Sequence, residues 1–287
     1  MRRLRTGLTR LARRAVELDP WPQPPWRPTR YPVVLMHGFG ALANLRQGGV
    51  LHAEAMHLRG RGVAAYAPHV HPYDTLAVRA EAWAERLTRV LDDTDAERLN
   101  LVAFSSAGLD ARLLARSPAW RGRLASLVTV STPHCGTSLV DLLHDHPDTL
   151  GRVAFGVMDA VGRAAWDRSA PRAGASLAEL TPDAVATRFD PDETVPDCWC
   201  ASFASRAGQG TDVPMYPPLI VPNRLLYHRA GVNDGIVPTD SMGWGEPLGV
   251  LDADHARQIG MAWTPSSRYD SLAFFERHAD RLRARGL

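Results

Sequence analysis

The sequence predicts an α/β protein built on a mostly parallel central sheet flanked by helices. Three observations predict it. Short, uninterrupted apolar runs fall at 32–36 (PVVLM), 99–104 (LNLVAF) and 127–130 (LVTV), and continuous apolarity marks strands covered on both faces. Helical patterns lie between and after those runs, and such alternation is the signature of a parallel sheet. The chain has 287 residues, of which 45% are hydrophobic and 22% charged, which suits one large globular domain and excludes a mostly disordered chain.

The elements follow in chain order. Residues 1–25 form a basic extension and connector. Six arginines stand against Glu17 and Asp19 in the first twenty residues. Leu4, Leu8 and Leu11 share a helical face, so this segment either touches anionic lipid or a partner, or packs on the domain and frays. It lacks the apolar stretch and cleavage site of a signal peptide, so the expected location is cytoplasmic, with secretion as the alternative. WPQPPWRP (21–28) reads as a stiff extended connector, because proline fixes its own φ and restricts its predecessor. The domain proper is expected over 26–287. After the strand at 32–36 come a weaker strand at 63–66 and an amphipathic helix at 76–91, with Val78, Ala82, Leu87 and Leu91 on one face. A strand at 99–104 runs into a helix at 107–116, and the strand at 127–130 runs into STPHCGTS. The stretch 141–180 interrupts the alternation with an apolar series at helical spacing, an insertion or an ordinary surface helix. Weak strands are expected at 225–230 and 249–251, and a closing helix in SLAFFERHADRLRARGL.

Composition excludes several classes. No apolar run approaches the roughly 20 residues of a membrane-spanning helix. The formal net charge is +2, which argues against a nucleic-acid partner. All 33 basic residues are arginine. Three cysteines exclude a disulfide scaffold. Cys198 and Cys200 lack a second Cys or His pair for zinc, and no cofactor is expected.

Three clusters carry chemistry. The first is Ala103-Phe104-Ser105-Ser106-Ala107, where a buried strand meets a helix through small residues. A nucleophile elbow needs this arrangement, since the sharp turn holds a serine beside the positive end of a helix. The usual pattern is G-x-S-x-G, and both outer glycines are alanine here, so alone the segment is a weak motif, and a strand-end serine before a helix is more often a cap than a nucleophile. The second is His37-Gly38-Phe39-Gly40 after the first strong strand. Glycine lets that loop approach a ligand, and a loop amide can complete an oxyanion hole. The candidate donors are the amides of Phe39 and Ser106, with His37, Gly38 and Phe104 as candidate substrate-binding residues. The third is Asp234 in NDGIVP and His255 in DADHA. In the order Ser105, Asp234, His255, the histidine would take the serine proton and the aspartate would fix its tautomer. Cys135 is the fallback nucleophile.

From about residue 25 onward the chain resembles the bacterial true lipases, the triacylglycerol lipases of the α/β-hydrolase superfamily. The resemblance rests on seven blocks in order: YPVVLMHGFG, LNLVAFSSAGLDARLL, STPHCGTSLVDLL, SLAELTP, GVNDGIVP, DHARQIG and the closing FFERHADRLRARGL. It implies an α/β-hydrolase fold, the triad Ser105, Asp234 and His255, an oxyanion hole at Phe39 and Ser106, and a lid near 141–180. It implies an ester hydrolase acting on a hydrophobic ester, with contact at a lipid surface. A polyester depolymerase or acyltransferase with the same triad, or a degenerate fold used for binding, stay open at this point. The family's calcium ligands would fall at Arg257 and Met261, neither of which suits a hard cation. No calcium is expected there. Arg257 is expected to pair with a carboxylate instead, Asp212 being the candidate.

Overall fold

The computed structural model describes residue 15 and residues 26–39, 49–145, 173–261 and 269–287. Apart from Ala15 the expected extension over 1–25 lies outside the described residues. So do Gly40 and the stretch 146–172 of the expected lid.

Six strands form one parallel sheet: β1 (Val33–Met36), β2 (Ala65–Tyr66), β3 (Leu99–Phe104), β4 (Leu124–Val130), β5 (Trp199–Arg206) and β6 (Glu246–Asp252). Their order across the sheet is β2-β1-β3-β4-β5-β6. Eight helices are described: α1 (His52–Gly60), α2 (Leu76–Thr94), α3 (Ala107–Arg116), α4 (Leu139–Asp145), α5 (Ala173–Ala178), α6 (Pro182–Arg188), α7 (Ile220–Ala230) and α8 (Ser271–Ala284). None of these helices is long and apolar enough to cross a membrane.

The apolar strands read as they do because both sheet faces are covered. Side chains alternate along a strand, so Val33 and Leu35 join Val102, Phe104, Val128 and Val130 against α1 and α8. Val34, Met36, Leu101 and Ala103 point the other way, onto Trp83 and Leu87 of α2 and Ala107 and Ala111 of α3. The β1–β3 register sets Met36 beside Ala103. The chain leaves β1 toward β2 on one side and crosses to β3 on the other. The crevice where ligands bind in such sheets opens at that reversal, beyond the carboxyl ends of the strands. His37 and Ser105, the residues that follow β1 and β3, are thereby neighbours.

Several elements differ from expectation. The segment Leu225–Ala230 is the second half of α7, not a strand. Leu, Tyr, Arg and Ala are adequate helix formers, three prolines at 217, 218 and 222 mark the approach and first turn, and Leu226 and Asn223 face inward at helical spacing. Asp234 therefore follows a helix, in a turn closed by an Asn233–Pro238 bridge. Along α2 Leu87 and Leu91 are buried as expected, but Val78 is exposed, and Arg79 and Trp83 take inward places that the sequence reading did not give them. Strand β5 has no counterpart in the sequence reading, because WCASFASR mixes small and polar residues with only Trp and Phe as strand formers.

Candidate active site

Ser105 ends β3 on a sharp turn with φ of +55°, a region that costs a non-glycine residue energy and persists only where surroundings impose it. Its amide donates to Val130 O (2.9 Å), and its carbonyl accepts from the Thr132 hydroxyl (2.7 Å) and the Gly108 amide (3.1 Å). Alanine at 103 and 107 does not prevent this turn; both are fully buried. The close approach is carried instead by two other glycines. A Cβ on Gly108 would lie 2.2 Å from Thr132 Oγ1, and one on Gly38 would lie 2.7 Å from Ser105 Cβ.

His255 Nε2 lies 3.0 Å from Ser105 Oγ, and its Nδ1 lies 2.7 Å from Asp234 Oδ2. The structure thus brings Ser105, His255 and Asp234 into one hydrogen-bonded chain. Asp234 is fully buried. Its Oδ1 accepts the amides of Ile236 and Val237, and its Oδ2 accepts the Ser205 hydroxyl and the Gln258 side-chain amide as well as the histidine. Burial pushes the carboxyl up, but His255 and these donors outweigh it, and the group sits below its ordinary value. Burial likewise opposes charge on His255, yet the Asp234 carboxylate outweighs it and raises the ring above 6.5. His255 N also donates to Asp234 O (2.9 Å), so backbone and side chain tie the same two residues.

The loop after β1 packs on the elbow. Gly38 crosses it so closely that a Cβ there would lie 2.9 Å from Ser106 N. Ser106 stands at the start of α3, where helix amides have no intrahelical partner and the helix dipole favours negative charge. The Phe39 amide donates to Ser106 Oγ at 3.0 Å. His37 lines the floor, but both its ring nitrogens are committed. Nδ1 donates to Gly38 O (3.0 Å) and Nε2 accepts from the Val70 amide (3.3 Å). Burial, with Arg79 nearby, lowers its pKa to about 3, so it is a neutral structural ring. Phe104 lines the cavity and packs on Phe275 at 5.8 Å.

A cavity of about 370 Å³ opens over Ser105, within the range of small-ligand sites. Its walls are largely apolar, including Leu139, Val140, Leu177, Leu180, Leu219 and Ile259. Leu139 and Val140 begin α4 and Leu177 lies in α5, so the described flanks of the insertion supply one wall.

Arg79, Asp110, Ser131 and Ser205 support the site from positions to which the sequence reading gave no role. Arg79 of α2 and Asp110 of α3 form an ion pair (2.8 Å) with side chains 2% and 0% exposed. The same guanidinium donates to the carbonyls of His37 and His71, both at 2.9 Å. Burial raises Asp110 to about 6, against the pull of Arg79. Ser205 is held in turn by Ser131 at 2.6 Å. Arg257 pairs with a carboxylate as expected, that of Asp254, the residue before the histidine, at 3.1 Å, and the pair is almost fully buried. Asp254 also accepts the amides of Tyr216, Ala256 and Arg257. A guanidinium in that place gives a cation no oxygen donors, so the residues do not fit calcium. Cys135 is an exposed free thiol outside the cavity lining, and Cys198 and Cys200 are free.

The parallel sheet, the serine elbow after its central strand, and the aspartate and histidine beyond later elements define the α/β-hydrolase fold. No family model matches the chain. In structure it is similar to a metagenomic carboxyl esterase (TM-score 0.70, 18% identity, covering 93% of this chain and 79% of the other). It is also similar to the mature form of a Bacillus licheniformis lipase (TM-score 0.60, 20% identity, 83% and 89%). In sequence it is 27% identical over 116 residues to a triacylglycerol lipase of Pseudomonas fragi, covering 40% of this chain and 39% of that one. Two further bacterial triacylglycerol lipases are similar at 29% identity over 123 residues. The chain spans about two fifths or less of the length of the bacterial relatives it matches.

Proposed function

We propose that the protein is a serine hydrolase of carboxylic esters with a hydrophobic acyl group. The observation that carries this reading is the hydrogen-bonded chain Ser105–His255–Asp234 at the floor of an apolar cavity. Ser105 Oγ attacks the ester carbonyl carbon while its proton passes to His255 Nε2. Asp234, held ionised by its donors, keeps Nδ1 protonated and stabilises the imidazolium. The carbonyl oxygen, now negative, turns toward the Ser106 amide at the helix start. Collapse expels the alkoxide, which takes the proton from His255, and leaves an acyl group on Ser105. Water then attacks that acyl carbon, giving its proton to His255, and the acid departs as Ser105 recovers it. The apolar walls favour the acyl chain, because water has nothing to bond there.

The test is hydrolysis of p-nitrophenyl esters from acetate to palmitate by wild type and Ser105→Ala. The expected result is turnover that rises beyond acetate in wild type and falls by at least ~10³-fold in the variant. Equal rates in both proteins would sink the reading.

A further inference from the structure

The Phe39 amide is the loop donor an oxyanion hole would use, yet in the resting chain it is bonded to a side chain of the elbow. Its acceptor, Ser106 Oγ, is buried, with only 3% of the residue exposed. Among the described residues that hydroxyl makes no other hydrogen bond. It does not cap its own helix: no side-chain capping bond forms at the start of α3. Next to Phe39, Gly38 passes so near the elbow that a Cβ on it would lie 2.9 Å from the Ser106 amide nitrogen. The loop donor and the elbow donor are therefore coupled through one residue.

We propose that the Ser106 hydroxyl is a positioning residue, a latch that parks the Phe39 amide beside the elbow and yields it to the oxyanion as the tetrahedral state forms. This rests on the hydrolase reading above. The exchange runs in the right direction because a charged oxygen is a stronger acceptor than a neutral hydroxyl. A loop amide already ordered within reach needs no ordering during the reaction, which is where preorganisation gains rate. The substrate ester carbonyl is a neutral acceptor and does not displace the hydroxyl. The latch therefore acts on turnover and leaves ground-state binding alone.

Three proteins on one soluble p-nitrophenyl ester test this: wild type, Ser106→Ala and Ser106→Thr. Each is also titrated with an alkyl boronic acid, which forms a tetrahedral adduct on the nucleophile. Ser106→Ala is expected to lose about tenfold in kcat with KM within twofold, and to lose boronate affinity in parallel. Ser106→Thr, which keeps the hydroxyl, is expected to recover most of both. Ser106→Gly makes the same deletion with a residue that helix starts accept, and serves if the alanine variant folds poorly. An active wild type with Ser106→Ala equally fast, or faster, overturns the latch while leaving the hydrolase reading intact. Loss confined to KM, with boronate affinity unchanged, also overturns it. A wild type inert toward every ester removes the hydrolase reading, and the latch with it.

Discussion

Replacing Gly38 by alanine isolates the contact between the loop after β1 and the elbow. Gly38 does not occupy the left-handed backbone region, so alanine meets no conformational penalty. What it meets is crowding. The added Cβ would stand 2.7 Å from Ser105 Cβ, 2.8 Å from Phe104 O and 2.9 Å from Ser106 N, where ordinary contact begins at 3.4 Å. The shortfall is about 0.5–0.7 Å on three sides, and none of the three atoms belongs to a flexible side-chain end. Either the loop lifts or the elbow yields. Overpacking of this kind costs ~1–3 kcal/mol, a fall of roughly 2–10 °C in melting temperature for a domain of this size. The rate falls further, because a reacting group displaced by about 1 Å loses on the order of 10²-fold. Gly38→Ala is thus expected to lose about 10- to 100-fold in kcat/KM. Gly60→Ala, at the end of α1 with nothing within 4 Å of its added Cβ, is the control. Steady-state kinetics and a thermal melt on both variants decide it. A Gly38→Ala protein within threefold of wild type, melting normally, would refute the reasoning.

Three further outcomes are expected. Arg79→Met leaves Asp110 buried without its cation, so a urea titration should show a loss of ~3–5 kcal/mol. Adding Asp110→Leu should restore much of that stability but not kcat/KM, since the His37 and His71 carbonyls remain unheld; recovery of the rate would contradict this. The plot of kcat/KM against pH should rise through a pKa above 6.5, because the proposed base, His255, can take a proton only when neutral and Asp234 raises its pKa; an inflection below 6 would contradict the assignment. His278 has no hydrogen-bond partner on either ring nitrogen among the described residues, and burial lowers it to about 3. The unfolded chain takes up that proton near 6.5 and the folded chain does not. Stability is therefore lost as pH falls from about 6.5 toward 3, by ~1.4 kcal/mol per pH unit. His278→Phe should flatten this acid limb by ~2 kcal/mol at about pH 5, and an unchanged limb would assign the loss to other groups.

Where local pattern and tertiary role agree, the sequence is transparent. LNLVAF followed by SSAGLDARLL can only be a covered strand turning into a helix, and its residues occupy β3, the elbow and α3 as expected. The order of Ser105, Asp234 and His255 was also readable, though only because three weak signals coincided. Other features depend on contacts distant in sequence. Arg79 looks like one more solvent-facing arginine of an amphipathic helix, and its inward partners, Asp110 and the His37 carbonyl, lie 31 and 42 residues away. Ser205 reaches Asp234 from a strand that carries no motif, and Gln258 from a short 3-10 turn inside DHARQIG, where nothing in the block marks it as a partner of the aspartate. Strand β5 is held by pairing on both sides, with β4 and β6, so its own composition had little to declare. The tolerance of alanine at 103 and 107 has the same origin. The tight approach was moved to Gly38 and Gly108, which a pattern centred on the serine does not read as its outer pair.

The far margin of the sheet has a bearing on self-association. β6 closes the sheet after β5, largely exposed, and it includes Pro247, Gly249 with φ of +117°, and a register shift opposite Ser202–Ala204. A proline supplies no N–H, and a kinked glycine breaks the regular row of peptide groups. At the opposite margin β2 is two residues long. Neither border offers an incoming chain a straight ladder to copy. At high concentration the folded molecule should therefore resist edge-to-edge polymerisation, and any growth of ordered aggregates must first unravel one of these borders.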